Sequence, residues 1–325
     1  MQVLASAHPN IALVKYWGKQ DAVRNLPAVS SVSITLDRLT VRTRVGFAEH
    51  GDKDRLSING HVDPKSEQRA AQCFDAYRVS ADAPFRALVA ESDINFPVAA
   101  GLASSAAGFA ALVTAADVLH GGRLSRLELA RLAGQASGSA ARSMYGGFVY
   151  LAAPENKNHP INVNTVLSAD AWPLSVVIAV TTHEQKAVGS TEGMEQSRLT
   201  SPFYDTWVAN QAHDVDDALA AIQSHDFERL ATISEHNCLK MHAVMLSSQP
   251  GLVYWNGATV EAIHRVRGLR RLGHAVFFTI DAGPQIKAVC DPDDTNAVAD
   301  ALADVPGVVE VMCCGLGPGA TATQC

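Results

Sequence analysis

A segment rich in glycine and serine, residues 97–108, carries the clearest chemistry in this sequence. It reads Pro-Val-Ala-Ala-Gly-Leu-Ala-Ser-Ser-Ala-Ala-Gly and follows a stretch that predicts a strand. Gly101 lets a ligand approach the backbone closely, and a helix beginning here presents unpaired N–H groups with partial positive charge. Ser104 and Ser105 add hydroxyls suited to phosphate oxygens or Mg²⁺. The segment predicts a phosphate site, with a small-residue helix packed on a sheet as the alternative.

Three further segments place charged side chains close to glycine or proline. Residues 15–19, Lys-Tyr-Trp-Gly-Lys, offer two point charges for an anion, or form a solvated turn around a buried tryptophan. Residues 137–142, Ser-Gly-Ser-Ala-Ala-Arg, suit carboxylate or phosphate recognition, or simply begin a helix. Asp281 ends an apolar strand before Gly283 and Pro284, where it can orient or deprotonate a hydroxyl, or cap a turn.

The elements that must position these side chains are predicted from hydrophobic periodicity. Strands are expected at 31–37, 40–47, 87–96, 146–151, 174–180, 274–280, 286–290 and 308–312. Helices are expected at 66–79, 126–136, 201–222, 226–246, 258–271 and 294–303. Ser125 with Glu128 forms a capping box, Ser201 should cap the third of these helices, and Asn59-Gly60 is a hairpin signal. Strands and helices without strict alternation predict an α+β fold.

Length and composition indicate the number of domains and limit the classes of partner. A chain of 325 residues with 47% hydrophobic residues can bury a large core and suggests two domains. The polar segment 152–160 contains two prolines, so the expected division is 1–160 and 161–325. A net charge of −7 without a dense basic cluster argues against nucleic acid as the partner.

Membrane and secretory signals are weak. The uncharged stretch 94–116 lacks basic flanks and aromatic anchors, so we expect a buried helix there and no membrane partner. The N-terminus has no basic region followed by an apolar stretch, so no signal peptide is expected. The six cysteines form no CxxC pair, which favours free thiols in a reducing, cytoplasmic environment.

Taken together, the four segments resemble the superfamily of galactokinase, homoserine kinase, mevalonate kinase and phosphomevalonate kinase. Within it they are most similar to the diphosphomevalonate decarboxylase family. The matching segments are residues 10–19, 95–108, 137–142 and 281–284, with lesser matches at 189–194 and 241–242. The resemblance implies a two-domain small-molecule kinase fold with the active site in the cleft between the domains.

The resemblance also implies a reaction. ATP would phosphorylate the tertiary 3-hydroxyl of mevalonate diphosphate, and loss of that phosphate and of CO2 would give isopentenyl diphosphate for isoprenoid biosynthesis. It implies ATP and Mg²⁺ as cofactors, a homodimer and a cytoplasmic location.

Site residues follow from the same resemblance. The catalytic set would be Asp281, Lys15, Arg142 and Ser139. The substrate's diphosphate and carboxylate would be bound by Tyr16, Trp17, Gly18, Lys19, Arg69, Ser137, Gly138, Ser139, Ala140, Ala141, Arg142 and Thr191. The ATP phosphates would be held by Gly101, Leu102, Ala103, Ser104, Ser105, Ala106, Ala107 and Gly108, with Ser105 as the candidate Mg²⁺ ligand.

One departure from the family pattern leaves alternatives open. The family's usual Leu-Pro-Thr-Asn-Ser-Ser is Leu-Pro-Ala-Val-Ser-Ser at residues 26–31, which removes two polar side chains. A decarboxylase acting on the 5-monophosphate, or a mevalonate-type kinase, is therefore the second reading. A regulatory homologue that only binds nucleotide is the third, although such a protein has no use for an acid such as Asp281 beside a phosphate loop.

Overall fold

The computed structural model describes residues 1–96 and 103–325. The strands are β1 (Gln2–Ala7), β2 (Asn10–Val14), β3 (Lys19–Asp21), β4 (Leu26–Pro27), β5 (Ser31–Thr35), β6 (Val41–Phe47), β7 (Arg55–Ile58), β8 (Leu88–Ile94), β9 (Phe148–Ala152), β10 (Asn162–Leu167), β11 (Ser175–Val180), β12 (Val276–Ile280), β13 (Ile286–Cys290), β14 (Glu310–Gly315) and β15 (Thr321–Gln324). The helices are α1 (Pro64–Ala81), α2 (Ser104–Leu119), α3 (Arg126–Ala136), α4 (Ala140–Ser143), α5 (Ser190–Thr200), α6 (Tyr204–Gln223), α7 (Phe227–Leu246), α8 (Gly257–Arg271) and α9 (Thr295–Ala303).

The larger sheets are mainly antiparallel. One has the order β15-β1-β6-β8-β7, a second has β10-β9-β5-β2, and a third has β12-β13-β11-β14. Strands β7 and β8 pair in parallel, whereas the other pairings within these sheets are antiparallel. The predicted α+β class is confirmed.

Helix α2 is the buried, small-residue helix that the sequence predicts. It packs on β1 and β6 and against α3 and α4. Alanines at 106, 107, 110 and 111 are fully buried, because side chains this small let a helix lie close to a sheet. Within the described residues, no helix is both long and apolar enough to cross a membrane.

The first and second halves of the chain meet at β2 and β12. Helix α7 packs against both strands, and the Thr279 hydroxyl of β12 donates a hydrogen bond to the Ala12 carbonyl of β2 at 3.1 Å. The residues that follow these two strands, beginning at Lys15 and at Asp281, are therefore placed side by side.

Two sequence predictions fail locally. The turn at Asn59-Gly60 forms with positive φ at both residues, but the chain pairs only Ile58 with His61 and then enters α1, where Asp63 caps the N-terminus. The predicted tight turn is therefore present, but it leads into no second strand because the helix start signal follows too soon. Ser201 does not cap α6; it ends the unpredicted helix α5, and α6 begins at Tyr204.

The segment 152–160 connects β9 to β10, and these strands pair with one another in the second sheet. The chain therefore leaves that sheet after Leu167. The domain boundary at residue 160 stays a prediction.

Candidate active site

The centre of the candidate site is a carboxylate held by two buried lysines. Asp281 lies directly after β12, and its Oδ1 accepts a hydrogen bond from Lys15 Nζ at 2.7 Å. Its Oδ2 lies 3.2 Å from Lys287 Nζ. The two lysine side chains are 1% and 0% exposed, whereas Asp281 is 28% exposed, so the acid is the member of the three that a ligand can reach.

The charge state of Asp281 follows from these neighbours. Burial raises the pKa of the Asp281 carboxyl, but the positive charges and hydrogen bonds of Lys15 and Lys287 outweigh it and hold the pKa well below its ordinary value. The carboxylate is therefore ionised at neutral pH.

Backbone hydrogen bonds fix Lys15 in this position. Its N–H donates to Asn237 Oδ1 at 2.7 Å, and its carbonyl accepts from Gln211 Nε2 at 2.6 Å. Asn237 Nδ2 also donates to Gln211 Oε1 at 2.9 Å, so α6 and α7 are tied together around the end of β2. Lys15 is thus positioned by the fold and not by a ligand.

Arg142 is a third buried cation near the acid, after Lys15 and Lys287. Its Nε donates to Asn10 Oδ1 at 2.9 Å and its Nη1 donates to Ser31 Oγ at 3.0 Å. Asn10 Nδ2 in turn donates to the Ser139 carbonyl at 3.0 Å. Burial lowers the pKa of Arg142 to about 10, opposed by the negative charge of Asp281, so the guanidinium remains charged at neutral pH.

Lys186 adds a third lysine that the sequence prediction missed. Its Nζ donates to Ser190 Oγ at 2.7 Å and to the Ala282 carbonyl at 2.8 Å. Burial lowers the pKa of Lys186 to about 8; the charge of Asp281 raises it and that of Lys287 lowers it further. Sequence reasoning also missed Lys287, although a single lysine within the apolar strand β13 was a usable signal.

A wider cavity of about 580 Å³ opens beside Lys19. Lys19 Nζ donates to Thr191 Oγ1 at 3.1 Å, and both residues line the cavity. Burial and the nearby Arg69 lower the pKa of Lys19, whereas Glu195 raises it. The Arg69 guanidinium donates to the Ala136 carbonyl at 3.0 Å and lies 4.8 Å from the centre of the Phe109 ring.

Two glycines make room for the hydroxyl groups of two tyrosines. Gly18 has φ of +111°, and a Cβ there would lie 2.1 Å from the Tyr204 hydroxyl oxygen. A Cβ at Gly138 would lie 2.3 Å from the Tyr16 hydroxyl oxygen. Both hydroxyls are buried, and within residues 1–96 and 103–325 neither has a hydrogen-bond partner.

The other predicted substrate residues lie around these groups or support them. Trp17 is buried, and its carbonyl accepts a hydrogen bond from Trp207 Nε1 at 2.9 Å. Ser137 ends α3, and Ala140 and Ala141 are buried in α4, so the two alanines offer backbone and packing and no polar side chain.

Ala28 and Val29, which stand where the family usually has Thr and Asn, belong to the apolar cluster around Trp17. Val29 is buried in a cluster that includes Trp17 and Trp207, and Ala28 packs against that cluster. The Ala28 N–H donates to the Gly18 carbonyl at 3.0 Å. The substitutions therefore extend an apolar cluster beneath the 15–19 segment.

The predicted phosphate segment, residues 97–108, is described in part, since residues 97–102, which include Gly101 and Leu102, lie outside the described residues. Helix α2 begins at Ser104 without a side-chain cap, and Ala103 has φ 55° and ψ 33°, a conformation unfavourable for alanine. Ser104 and Ser105 are the first two helical residues, followed by Ala106, Ala107 and Gly108. A helix start that carries two hydroxyls fits a phosphate group. Among the described residues, no cluster of three or more His, Cys, Asp or Glu could hold a metal ion.

Comparisons with known proteins cover both halves of the chain. A family model for the diphosphomevalonate decarboxylase-like N-terminal domain matches residues 7–161, and one for the mevalonate 5-diphosphate decarboxylase C-terminal domain matches residues 176–312. The diphosphomevalonate decarboxylase of Aspergillus fumigatus is 37% identical over 93% of this chain and 80% of its own length. That of Candida albicans is 33% identical over 98% of this chain and 97% of its own length.

Solved structures extend the similarity to the fold. Mevalonate diphosphate decarboxylase from Staphylococcus aureus is 33% identical, with a TM-score of 0.93 over 99% of this chain and 98% of that one. The complex of MDDEF with MVAPP, AMPPCP and magnesium is 34% identical, with a TM-score of 0.90 over 100% of this chain and 99% of that one. The chain therefore belongs to the diphosphomevalonate decarboxylase family.

Proposed function

We propose that this protein is an ATP-dependent decarboxylase that converts (R)-5-diphosphomevalonate to isopentenyl diphosphate, ADP, phosphate and CO2. The observation that carries the proposal is the ionised Asp281, partly accessible and surrounded by the cations of Lys15, Lys287, Lys186 and Arg142. One carboxylate among four cations favours the approach of two polyanions and leaves one acceptor for a hydroxyl. In the mevalonate diphosphate decarboxylase of Enterococcus faecalis, which is 33% identical to this chain, mevalonate diphosphate mediates the binding of ATP.

In the first step, the substrate's 3-hydroxyl donates a hydrogen bond to the Asp281 carboxylate. The hydroxyl oxygen forms a bond to the γ-phosphorus, the bond from that phosphorus to the bridging oxygen breaks, and ADP leaves. Because the pKa of Asp281 is held low, the carboxylate is a weak base, and it takes up the proton only as the oxygen–phosphorus bond forms. Its first contribution is alignment of the nucleophile.

In the second step, the bond between C3 and the new phosphate breaks and the phosphate leaves with the electron pair. The C1–C2 bond breaks to release CO2, and its electrons form the C2–C3 double bond. Lys15, Lys186 and Arg142 stabilise the negative charge that grows on the phosphate. The proton held by Asp281 leaves with the phosphate, which restores the carboxylate.

The remaining groups are assigned to binding. Tyr16, Lys19, Arg69 and Thr191 would contact the substrate's diphosphate, while Arg142 and Ser139 would contact its carboxylate. The N-terminus of α2 would hold the ATP phosphates. Bound Mg²⁺ would neutralise phosphate oxygens, with the Ser105 hydroxyl as our candidate ligand. A homodimer and a cytoplasmic location are proposed from the family resemblance, and sedimentation of the purified protein tests the dimer.

The test is to incubate the protein with ATP and, separately, mevalonate, its 5-phosphate and its 5-diphosphate. We expect equal amounts of ADP and CO2 with the 5-diphosphate. The same products from the 5-phosphate would move the substrate assignment to the monophosphate. ADP without CO2 would indicate a kinase, and binding without either product would indicate a regulatory protein. Asp281→Asn serves as the matched control, because it keeps the size of the side chain and removes its charge.

A further inference from the structure

The proposed reaction includes no contact between Lys287 and the substrate. It lies in β13, where it is paired with Thr279 of β12 and Ile178 of β11, and its side chain is fully buried. Its strand neighbours Ile286 and Ala288 are fully buried and apolar. A buried ammonium costs much more free energy than an apolar side chain unless a partner compensates it. What Lys287 contacts therefore indicates what it does.

One contact of Lys287 is with the oxygen of Asp281 that Lys15 does not bond. Lys287 Nζ lies 3.2 Å from Oδ2, while Lys15 Nζ lies 2.7 Å from Oδ1. Asp281 follows β12 and Lys287 lies in the adjacent strand, so the backbone pairing fixes the distance between them. A carboxylate engaged through both oxygens has its rotation restricted as well as its charge balanced.

We propose that Lys287 is a positioning residue for the reaction: by holding Oδ2 of Asp281, it fixes the orientation in which the carboxylate meets the substrate's hydroxyl. The inference rests on the proposed function. Without Lys287, the carboxylate keeps its contact with Lys15 but can rotate about its own side-chain bond. Such a loss of alignment reduces the rate of the chemical step and leaves binding of the substrate largely unchanged.

The charge of Asp281 supplies a second readout. The charged and titratable groups that act on it are Lys15, Lys186, Lys287, Arg142, Cys238 and His242. Removing Lys287 takes away one of the cations that depress the pKa of Asp281. The pKa of the carboxyl must then rise, and activity is lost at a higher pH on the acid side of the profile.

The experiment compares Lys287→Met in the wild-type and Asp281→Asn backgrounds. In the wild-type background we expect kcat to fall roughly 10- to 100-fold with little change in KM, and the acid limb of kcat to move to higher pH. In the Asp281→Asn background we expect little further loss, because the group through which Lys287 acts is already altered. Lys287→Gln, which keeps a hydrogen-bond donor, should retain more activity and serves if the methionine variant does not fold. Arg271→Met, at an exposed position, controls for the loss of one positive charge.

Unchanged kcat, an unmoved acid limb, or an equal loss in both backgrounds would overturn the inference, since equal losses indicate a general structural role. The proposed function is tested first and separately, on the wild-type protein. If the wild type releases no ADP or CO2 from mevalonate diphosphate, the proposed function fails, and the inference fails with it. If the wild type is active and Lys287→Met matches it, the inference alone fails.

Discussion

Lys15 and Lys19 belong to one short segment, yet the structure holds them in different ways. Lys15 is fully buried and bonded to the charged Asp281, and its backbone is tied to Asn237 and Gln211. Lys19 is partly exposed, bonds a neutral hydroxyl and lines an open cavity. The inner lysine is already positioned before any ligand binds, whereas the outer one can exchange its weak partner for an anion. This difference matches the roles proposed for the two regions, chemistry at the acid centre and binding in the cavity.

The largest effect should follow a change at the centre. Asp281→Asn keeps the size of the side chain and can still accept a hydrogen bond, but it carries no charge and takes up no proton. We expect kcat to fall roughly 10²- to 10⁴-fold, the usual range for a general acid–base group, with ATP and substrate binding nearly normal by calorimetry. ADP and CO2 should fall together, because decarboxylation depends on the phosphate introduced in the first step.

Two outcomes would contradict this assignment in different ways. Near-normal turnover would remove Asp281 from the mechanism. ADP release that persists without CO2 would instead place its role after phosphorylation.

Arg142→Lys tests the buried arginine near Asp281. Lysine keeps the charge but loses the planar fork with which Arg142 bonds Asn10 and Ser31. If one charge-assisted hydrogen bond is lost, we expect transition-state stabilisation to weaken by about 1.5–3 kcal/mol, which lowers kcat/KM roughly 10- to 150-fold. Steady-state kinetics of purified, folded variant measures the loss. Wild-type kinetics would show that Arg142 only supports the fold.

The sequence predicted those parts of the candidate site that lie within continuous motifs. Lys15 and Arg142 stand in segments whose composition already suggests anion binding, and Asp281 stands at a strand end. Lys287 was missed because its contact with Asp281 depends on the pairing of β12 with β13, which hydrophobic periodicity does not specify. Lys186 was missed because it lies in an irregular segment before α5.

The same reasoning explains the fold predictions. Helices α7 and α8 have clear apolar faces and were found within one residue of their observed ends. Helix α5 was missed because it buries only Gly193, Met194 and Ser197, which give no apolar periodicity. Strand β15 was missed because its four residues pair with the distant strand β1, and nothing local indicates that partner.

Lys19→Met tests the role of the lysine that lines the cavity. If Lys19 binds the diphosphate, losing its charge should raise KM by up to about 10-fold, the size of one modest charge-assisted contact, and leave kcat nearly unchanged. The variant's KM should also depend less on ionic strength. Lys53→Met, at an exposed position between β6 and β7, is the matched control and should leave KM unchanged. A loss in kcat with constant KM would assign Lys19 to the centre.

The smallest expected effect is a pH dependence from Lys186, which lies against the centre but is less buried than Lys15. Because burial lowers the pKa of Lys186 to about 8, its ammonium loses its proton near that pH in the free enzyme. The charged form is the one that attracts a polyanion. We therefore expect kcat/KM to be constant below this pH, to be about half its maximum at the pKa and to decline above it, since kcat/KM reports ionisation of the free enzyme.

Two variants identify the group responsible. Lys186→Arg keeps its charge throughout the measured range, so the decline near pH 8 should disappear while activity is partly retained. Lys186→Met should have lower kcat/KM at neutral pH and also lack the decline. Bound substrate stabilises the ammonium, so the corresponding limb of kcat must lie at higher pH than that of kcat/KM. If kcat/KM still declines near pH 8 in both variants, another group causes the decline. Lys186 would then keep its charge throughout this pH range.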